Sequence, residues 1–376
     1  MRILIPICDG GYVLRGALNW MKNSLISLEQ IDTNNEYIII HDNFQQNFFS
    51  PQHPNFILHK VNAPNGRLNI HFWYYNQFSK LIKTYKPDII HYPNTFYIPQ
   101  KVGKTIYTIH DLAEFELPEK HGFLKSLARR KIVHNNVKHA DRVITVSDYT
   151  KSKILEFTRC PENKISIIHN IVFLDKFVRK NNSNEKHKLF ENGFFPEKYF
   201  LYVGAIERTK NIETVIRALS ILNHEKKQNV NLVLVSSFGK TLNQVKRMVR
   251  QLRLENSVLF TEFLEEDVLI KIFQNAIALI HPSIMEGFGL VLLQAMAAGI
   301  PIIASNASAM PEVFGDAAIA VEPFSETQFA DAMIRILKTA SLRSELIEKG
   351  YKRLELFSDK ITANKLLHVY EELYNR

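Results

Sequence analysis

The chain has 376 residues, of which 46% are apolar and 23% charged, and its formal net charge is +9 at pH 7. This length fits two domains of about 150–200 residues, and the two distant cysteines, Cys8 and Cys160, disfavour a disulfide framework or a structural zinc site. The sequence lacks an apolar run near the roughly 20 residues that span a bilayer, and its first residues are unlike a signal peptide, so we expect a cytoplasmic protein.

The positive charge is confined to the first half of the sequence. Residues 1–180 contain 24 Lys and Arg against 15 Asp and Glu, whereas residues 181–376 contain 23 of each kind. An anionic membrane surface or a nucleic acid could use this excess, and a merely soluble basic face is the alternative interpretation. The charge alone leaves all three interpretations open.

The first half of the chain has the pattern of alternating strands and helices. Strands are predicted at residues 3–7, 37–41, 56–61, 88–92, 104–109, 140–147 and 164–168. A glycine-rich turn with Gly11 follows the first strand, and such a turn can hold an anion or let a ligand approach the backbone. In the aromatic and basic stretch Arg67–Lys86, helical spacing predicts that about two thirds of the apolar residues are core. The remainder could lie at a membrane interface.

His110 and Asp111 follow directly after the strand at residues 104–109. Ligands of open parallel sheets bind beyond the carboxyl ends of the strands, which makes this polar pair a candidate for a site. A lone histidine is more often structural, so both interpretations stay open here. The next predicted helix, Lys120–His139, is strongly basic and contains Lys125, Arg129, Arg130 and Lys131, for which a solvated face is the simplest interpretation.

The second half begins after a polar stretch that we interpret as an interdomain linker. A strand at residues 199–203 is followed by Gly204, Arg208 and Lys210 before a helix at residues 212–222. From the start of a helix, the ammonium of Lys210 could meet a diphosphate. Further strands are predicted at residues 230–235, 258–260, 277–280 and 301–304, and further helices at residues 242–252, 268–276, 290–298, 326–338, 342–356 and beyond Ser358.

The most informative stretch runs from Ser283 to Ala304 and predicts a loop, a helix and a buried strand. The amides of Phe288, Gly289 and Leu290 begin the helix without helical acceptors, so they suit a phosphate. Glu286 would repel that phosphate and is better placed to accept hydrogen bonds from neutral hydroxyls. Phosphate and polyol together suggest a sugar nucleotide, whereas a capping acid beside a simple glycine turn is the structural alternative.

A longer string of motifs closely resembles glycosyltransferase family 4. The string is Glu286-Gly-Phe-Gly-Leu, Ala295-Met-Ala-Ala-Gly-Ile-Pro-Ile-Ile-Ala-Ser, Pro311-Glu-Val and Gly315-Asp-Ala-Ala, with Thr-Ile-His-Asp before residue 112. The resemblance implies an α/β protein of the GT-B fold, with two Rossmann-like domains facing a cleft. It divides the chain into an acceptor domain at 1–175, a linker at 176–195, a nucleotide-sugar domain at 196–356 and a helix at 357–376 returning to the first domain.

The resemblance also implies the roles of individual residues. The residues expected to be catalytic are His110, Glu286, Lys210 and Arg208. The residues expected to bind the nucleotide sugar are Gly11, Asp111, Phe288, Gly289, Leu290 and Gln294. Gln294 is a departure, because the family has a second glutamate there, eight residues after the first. The sequence has no Asp-X-Asp motif, so neither a metal nor another cofactor is expected.

The resemblance implies a retaining hexosyltransferase that uses a nucleotide-sugar donor. The motif variants look like enzymes of bacterial cell-surface polysaccharide synthesis, which favours GDP-mannose, with UDP-hexose and dTDP-rhamnose as alternatives. The acceptor would be a saccharide or a lipid-linked saccharide, and the basic half could dock on the inner face of the plasma membrane. Nucleic acid is not an expected partner, since no DNA or RNA motif is present. A catalytically inactive sugar-nucleotide-binding protein is the alternative, motivated by Gln294.

Overall fold

The structure is a computed structural model that describes residues 1–8, 15–42, 48–64, 67–93, 103–117, 122–178, 195–236, 239–262 and 264–376. The chain forms two compact units. The first contains Met1–Ile171 together with Phe357–Arg376, and the second contains Val172–Leu356. Within the described part of the chain, no helix is both long and apolar enough to cross a bilayer.

The first unit is built on a parallel sheet of seven strands among the described residues. The strands are β1 (Arg2–Pro6), β2 (Glu36–His41), β3 (Phe56–Lys60), β4 (Ile89–Tyr92), β5 (Lys104–Ile109), β6 (Arg142–Thr145) and β7 (Ile165–Ile167). Their order is β3-β2-β1-β4-β5-β6-β7. The central strands are almost continuous apolar runs, as expected for a sheet that helices cover. The strand order reverses between β1 and β4, the position where such sheets bind ligands.

Helices connect these strands, and the last helix of the chain also belongs to this unit. The helices are α1 (Arg15–Glu29), α2 (Arg67–Trp73), α3 (Ser79–Tyr85), α4 (Ala113–Glu116), α5 (Phe123–His139), α6 (Asp148–Thr158) and, from the end of the chain, α14 (Asp359–Tyr374). Ser358 caps α14 by accepting a hydrogen bond from the amide of Ile361 at 3.2 Å. The helix α14 packs on α1, and the Tyr370 hydroxyl lies 2.6 Å from His91 Nδ1.

The stretch Arg67–Tyr85 is helical but contains a π turn at Tyr74–Phe78, which the sequence pattern did not predict. The π turn lets the Tyr74 hydroxyl donate a hydrogen bond to the carbonyl of Cys8 at 2.9 Å. The prediction that most of the apolar residues are core is confirmed. Buried are Ile70, Trp73, Tyr74, Phe78 and Ile82, whereas Phe72 is 72% exposed.

The second unit contains a parallel sheet of six strands among the described residues. The strands are β8 (Tyr199–Val203), β9 (Asn231–Val235), β10 (Val258–Thr261), β11 (Ala278–His281), β12 (Ile302–Ser305) and β13 (Ile319–Val321). Their order is β10-β9-β8-β11-β12-β13, so the reversal lies between β8 and β11. The core joins Phe200, Leu232 and Ile280 of the strands to Val245 and Phe329 of the helices.

The helices of the second unit are α7 (Ile212–Ser220), α8 (Leu242–Gln251), α9 (Glu266–Asn275), α10 (Leu290–Ala297), α11 (Met310–Phe314), α12 (Glu326–Lys338) and α13 (Ala340–Leu354). A 3-10 turn at Arg208–Lys210 precedes α7. The helix α10 ends where the sequence predicts, because Gly299 has a φ of +66° and turns the chain away. The two parallel sheets are therefore of the predicted doubly wound type.

Candidate functional site

In the second unit, the loops that follow β8 and β11 meet at the reversal of strand order. The carbonyl of Thr209 accepts a hydrogen bond from the amide of Ile284 at 2.9 Å. Asn211 adopts a left-handed conformation with a φ of +52°, and its side-chain amide donates to the carbonyls of Pro282 and Pro323. These bonds join the two loops to each other and to the chain after β13, so that the side chains they carry have fixed positions.

Lys210 and Glu286 form a direct ion pair between these loops, joining Lys210 Nζ to Glu286 Oε1. The Lys210 side chain is 22% exposed and that of Glu286 is 17% exposed. Glu286 Oε1 also accepts a hydrogen bond from Ser283 Oγ at 3.2 Å and lies 3.1 Å from His281 Nε2. Among the described residues no donor reaches Glu286 Oε2, so one oxygen holds the carboxylate in place while the other is left for a ligand.

The electrostatic surroundings keep Glu286 ionised. Burial raises the pKa of this carboxyl, but the Lys210 ammonium and the hydrogen bond from His281 lower it by more, so the pKa of Glu286 lies below its ordinary value. A carboxylate that stays charged in a half-buried position can only accept hydrogen bonds. Neutral hydroxyls are the ligand groups that satisfy it without charge repulsion.

His281 is a residue of this site that the sequence analysis missed. It is the last residue of β11 and is buried, and its Nδ1 has no hydrogen-bond partner among the described residues. Because a carboxylate oxygen can only accept, Nε2 carries the hydrogen that faces Glu286. The rule that drew attention to His110, a histidine at the carboxyl end of a strand, also applies to His281 and could have found it.

The start of α10 lies directly after Glu286 in the chain. Gly289 has a φ of +94°, a conformation that favours glycine, and a Cβ atom there would lie 3.2 Å from Leu292 Cδ1, a tight contact that this side chain would have to relieve. The Phe288 side chain is buried, so a ligand could meet this residue through its backbone. The amide of Leu290 begins the helix and has no acceptor within it. Ser308 Oγ accepts a hydrogen bond from the Glu286 amide at 2.9 Å and orients this turn.

The other two predicted residues of this unit have no protein partner near the ion pair. Gln294 lies half-buried on α10, and among the described residues nothing bonds to its side-chain amide. The Arg208 side chain is exposed and pairs with no acidic group of the described chain. The structure thus brings together Lys210, Glu286 and the start of α10, whereas Arg208 forms no side-chain bond with them in the described chain. In the described residues, no group of three His, Cys, Asp or Glu side chains is arranged to hold a metal ion.

In the first unit, His110 lies at the carboxyl end of β5. Its Nε2 donates a hydrogen bond to the carbonyl of Pro93 at 2.9 Å, and its ring meets Trp20 edge-on with centroids 5.6 Å apart. Burial lowers the pKa of His110 more than the Pro93 carbonyl and the Asp111 charge raise it. The ring is therefore neutral at pH 7, and Nδ1 is left as an acceptor.

The remaining predicted residues of the first unit have different surroundings. Asp111 is exposed, and its Oδ1 accepts a hydrogen bond from the amide of Ala113 at 3.1 Å at the start of α4. Gly11 lies outside the described residues. Behind His110, burial lowers the pKa of His91 to about 3, and its Nε2 lies 2.8 Å from Thr108 Oγ1.

Two family models match the chain. "Glycosyltransferase Family 4" matches residues 34–176 and "Glycosyl transferases group 1" matches residues 184–353, so together they cover most of the sequence. The O-antigen chain mannosyltransferase B of Escherichia coli is 26% identical over 297 residues, which are 78% of this chain and 76% of that protein. The O-antigen chain mannosyltransferase RfbU of Salmonella typhimurium is 31% identical over 239 residues, 64% of this chain and 62% of its own length.

Solved structures share the fold over the whole chain. A glycosyltransferase from Rickettsia africae has a TM-score of 0.75 at 19% identity and covers 99% of this chain and 98% of its own. HepE from Anabaena, solved in complex with UDP-glucose, has a TM-score of 0.77 at 16% identity and covers 99% of this chain and 100% of its own. With both family models and the doubly wound sheets in agreement, this chain belongs to glycosyltransferase family 4 and has the GT-B fold.

Proposed function

We propose that this chain is a retaining glycosyltransferase that transfers a hexose from a nucleotide sugar to a saccharide or lipid-linked saccharide during cell-envelope polysaccharide synthesis. The observation that carries this proposal is the Lys210–Glu286 pair at the strand reversal of the second unit, directly before the start of α10. A cation and the amides at a helix N-terminus suit a diphosphate, and an ionised carboxylate beside them suits the hydroxyls of the attached sugar.

In this proposal the second unit stabilises the leaving group. The acceptor hydroxyl oxygen bonds to the anomeric carbon as the bond from that carbon to the phosphate oxygen breaks, and the hydroxyl proton passes to the departing diphosphate. The diphosphate gains negative charge in the transition state, so fixed positive groups lower the barrier. Lys210 has three N–H donors and can contact a phosphate while it still bonds to Glu286. The amides of Phe288, Gly289 and Leu290 add positive potential.

The sugar itself would be held by hydrogen bonds. Glu286 Oε2 would accept from a sugar hydroxyl, because Oε1 already has its protein donors. His110, neutral and with Nδ1 as an acceptor, is proposed to accept another hydroxyl, the role that its family match implies. Gln294 is proposed to hydrogen-bond the ribose, and the exposed Arg208 to reach the diphosphate only when a donor is bound.

The relatives suggest the donor. Both O-antigen relatives are named as mannosyltransferases, which supports GDP-mannose as the proposed donor. HepE was solved with UDP-glucose, so a UDP-hexose is retained as an alternative, together with dTDP-rhamnose. A thermal-shift comparison of GDP, UDP and dTDP separates these donors, because the nucleotide that binds the folded state raises the melting temperature by mass action.

We also propose that the first unit docks reversibly on an anionic membrane surface through α5. Lys125 and Lys131 are exposed on this helix beside Leu124, which is 80% exposed, and Leu127, which is 44% exposed. Arg130 is less suited than the sequence suggests, since its guanidinium donates to the carbonyls of Glu114 and Phe115. Exposed lysine and leucine side chains along one helix are typical of an interfacial surface.

Substitution of Glu286 tests the proposed function. Glu286→Ala should lower turnover of the correct donor by at least about tenfold, because a hydrogen bond to the reacting sugar is lost. Glu255→Ala, which removes an exposed acid of the same unit, is the control and should keep the wild-type rate. Initial rates and melting temperatures are measured for both variants. An unchanged rate in Glu286→Ala would contradict the assignment, and nucleotide binding without any donor turnover in the wild type would favour the inactive binding protein.

A further inference from the structure

A groove on the first unit lies outside the sites described above. It has a volume of about 600 Å³ and lies along the helical stretch Arg67–Tyr85, where Asn69, Phe72, Asn76 and Lys80 line one face. Trp73 and Gln77 complete this face, and Pro64 lines the groove from the chain after β3. The volume is within the roughly 300–1,000 Å³ that is typical of small-molecule sites.

The backbone of this face is unusual in the same place. The π turn at Tyr74–Phe78 contains two of the lining residues, Asn76 and Gln77. A π turn is rare because it strains the helical hydrogen-bond ladder, and such turns frequently occur at functional sites. The same turn is joined to the end of β1 by the hydrogen bond from the Tyr74 hydroxyl to the Cys8 carbonyl. The groove is therefore joined to the chain that follows β1, at the carboxyl end of this strand.

The lining side chains indicate the chemistry of a ligand. Phe72 is 72% exposed and offers a ring face, whose negative quadrupole attracts the polarised C–H groups of a pyranose. The amide groups of Asn76 and Gln77 form no hydrogen bond within the described chain. A side-chain amide carries a donor and an acceptor in one plane, which matches a pair of neighbouring hydroxyls. An aromatic ring beside neutral amides is suited to a carbohydrate.

Other ligand classes fit this lining less well. A bilayer would have to desolvate the amides of Asn76 and Gln77, which is unfavourable without hydrogen-bond partners. A nucleic acid needs several cations along its backbone, whereas Lys80 is the single charged residue among the described residues that line the groove. This described lining suits a neutral or weakly acidic saccharide at little electrostatic cost.

We propose that this groove binds a saccharide chain, as a segment of the acceptor glycan away from the hydroxyl that reacts. The inference rests on the proposed glycosyltransferase function, because it assigns the groove to the acceptor of that reaction. A glycan held here would bind more tightly as it lengthens, since sugar units beyond the reacting one gain contacts with Phe72 and the two amides. The enzyme would then prefer long acceptors over single sugars.

Direct binding by the full chain is the first test. Isothermal titration is carried out with mannose, with α-linked mannobiose and mannotetraose, and with maltotetraose as a second glycan. The affinity for a tetrasaccharide should exceed the affinity for mannose. Phe72→Ala should weaken this binding about fivefold, the size expected for loss of one aromatic contact, and Phe72→Trp should restore it. Phe324→Ala is a matched control, because Phe324 is also 72% exposed but lies in the second unit.

Two further measurements separate this inference from the proposed function. Phe72→Ala should raise KM for a tetrasaccharide acceptor while slow donor hydrolysis, which needs no acceptor, stays at the wild-type rate. Absence of binding to every glycan tested, or equal binding by wild type and Phe72→Ala, would overturn the groove assignment. Loss of vesicle binding in Phe72→Ala with unchanged glycan binding would also overturn it and assign the ring to a membrane. A failure of donor turnover with glycan binding intact would overturn the proposed function and leave the groove as a glycan-binding site.

Discussion

The two units have similar parallel sheets but carry different polar groups at the carboxyl ends of their strands. The second unit places a charged pair, Lys210 and Glu286, at this edge, and its half of the sequence has no net charge. The first unit places the neutral His110 near its own edge, backed by His91, and the first half of the sequence has an excess of nine positive charges. The sheet thus fixes where a ligand can bind, while the loop residues fix which chemical groups it meets.

The two units differ in how they offset the desolvation cost of polar groups at the carboxyl ends of their strands. In the second unit, opposite charges and hydrogen bonds from His281 and Ser283 satisfy the carboxylate. In the first unit, burial removes the charge instead, because a neutral imidazole costs less to desolvate than an imidazolium. One edge therefore carries a charged pair, and the other carries a neutral imidazole.

Removing the charge at the second edge should have the largest effect on activity. Lys210→Met should lower donor turnover by about a hundredfold, the loss typical of removing one fixed donor to a developing anion. The variant also leaves Glu286 unpaired, so its carboxyl pKa should rise towards the ordinary range. Single-turnover rates and an NMR titration of the Glu286 carboxyl measure the two effects.

Two further variants serve as controls for the Lys210 prediction. Lys338→Met removes an exposed lysine of the same unit and should keep the wild-type rate. Lys210→Arg retains the charge with a different shape and should lie between wild type and Lys210→Met. A turnover in Lys210→Met within about threefold of wild type would contradict the role of a charged edge in leaving-group stabilisation.

Acid should destabilise the first unit before the second. The folded-state pKa of His91 is lowered by burial to about 3 from an ordinary value of 6.5, so below pH 6.5 the unfolded chain binds a proton that the folded chain excludes. Stability of this unit then falls by about 1.4 kcal/mol per pH unit between these values. The pKa of Glu286 is lowered from 4.5, so its contribution to the second unit is lost only as the pH falls below 4.5.

Hydrogen exchange resolved by segment measures this difference. At pH 5.5, after correction for intrinsic exchange, β4 and β5 should open about tenfold more often than at pH 7.5, whereas β8 and β11 should not change. His91→Gln should reduce the response of the first unit, and His110, whose pKa burial also lowers, should account for the remainder. His368→Gln, an exposed histidine of the same unit, should leave the response unchanged. Equal acid sensitivity of the two sheets would contradict the prediction that a buried neutral histidine makes the first unit lose stability at a higher pH than the second.

The sequence predicted most elements of both sheets because buried parallel strands are short apolar runs with few alternatives. Strand β5 at Lys104–Ile109 and strand β8 at Tyr199–Val203 have the predicted bounds. The π turn at Tyr74–Phe78 was not predictable, because the apolar spacing of Arg67–Tyr85 fits one regular helix. The turn occurs together with a tertiary contact, because Tyr74 within it bonds to the carbonyl of Cys8, which is distant in the sequence.

The candidate site was predicted in part for a similar reason. Local patterns indicated Lys210, Glu286 and the glycine turn before α10, since each belongs to a loop with a recognisable order of residues. Their direct pairing could not be read from the sequence, because it depends on two loops that are 76 residues apart. The environment of Arg130 was also missed, since its bonds to backbone carbonyls are not coded by any motif.

The excess positive charge of the first unit should be measurable as membrane binding. Lys125→Ala combined with Lys131→Ala should reduce partition onto anionic vesicles about thirtyfold, since each lysine near the surface contributes about 1 kcal/mol. Lys226→Ala with Lys338→Ala removes two exposed lysines of the second unit and should have no effect. Vesicle sedimentation at two salt concentrations tests this, because screening weakens the attraction as salt rises. Equal binding to neutral and anionic lipid, or none to either, would leave α5 a solvated face.

The smallest expected effect concerns Gln294, the position where this chain departs from its family. Gln294 is half-buried on α10, and its amide has no protein partner in the described chain, so it is available for a neutral group such as the ribose diol. Gln294→Glu should preserve nucleotide binding or tighten it severalfold, because a carboxylate accepts hydroxyl protons more strongly than an amide does. Gln294→Ala should weaken it by a similar factor, since one hydrogen bond contributes about 1 kcal/mol. Titration calorimetry with GDP and UDP measures both variants. Loss of nucleotide binding in Gln294→Glu would mean that this position must be neutral, and that the charge at this edge is limited to Lys210 and Glu286.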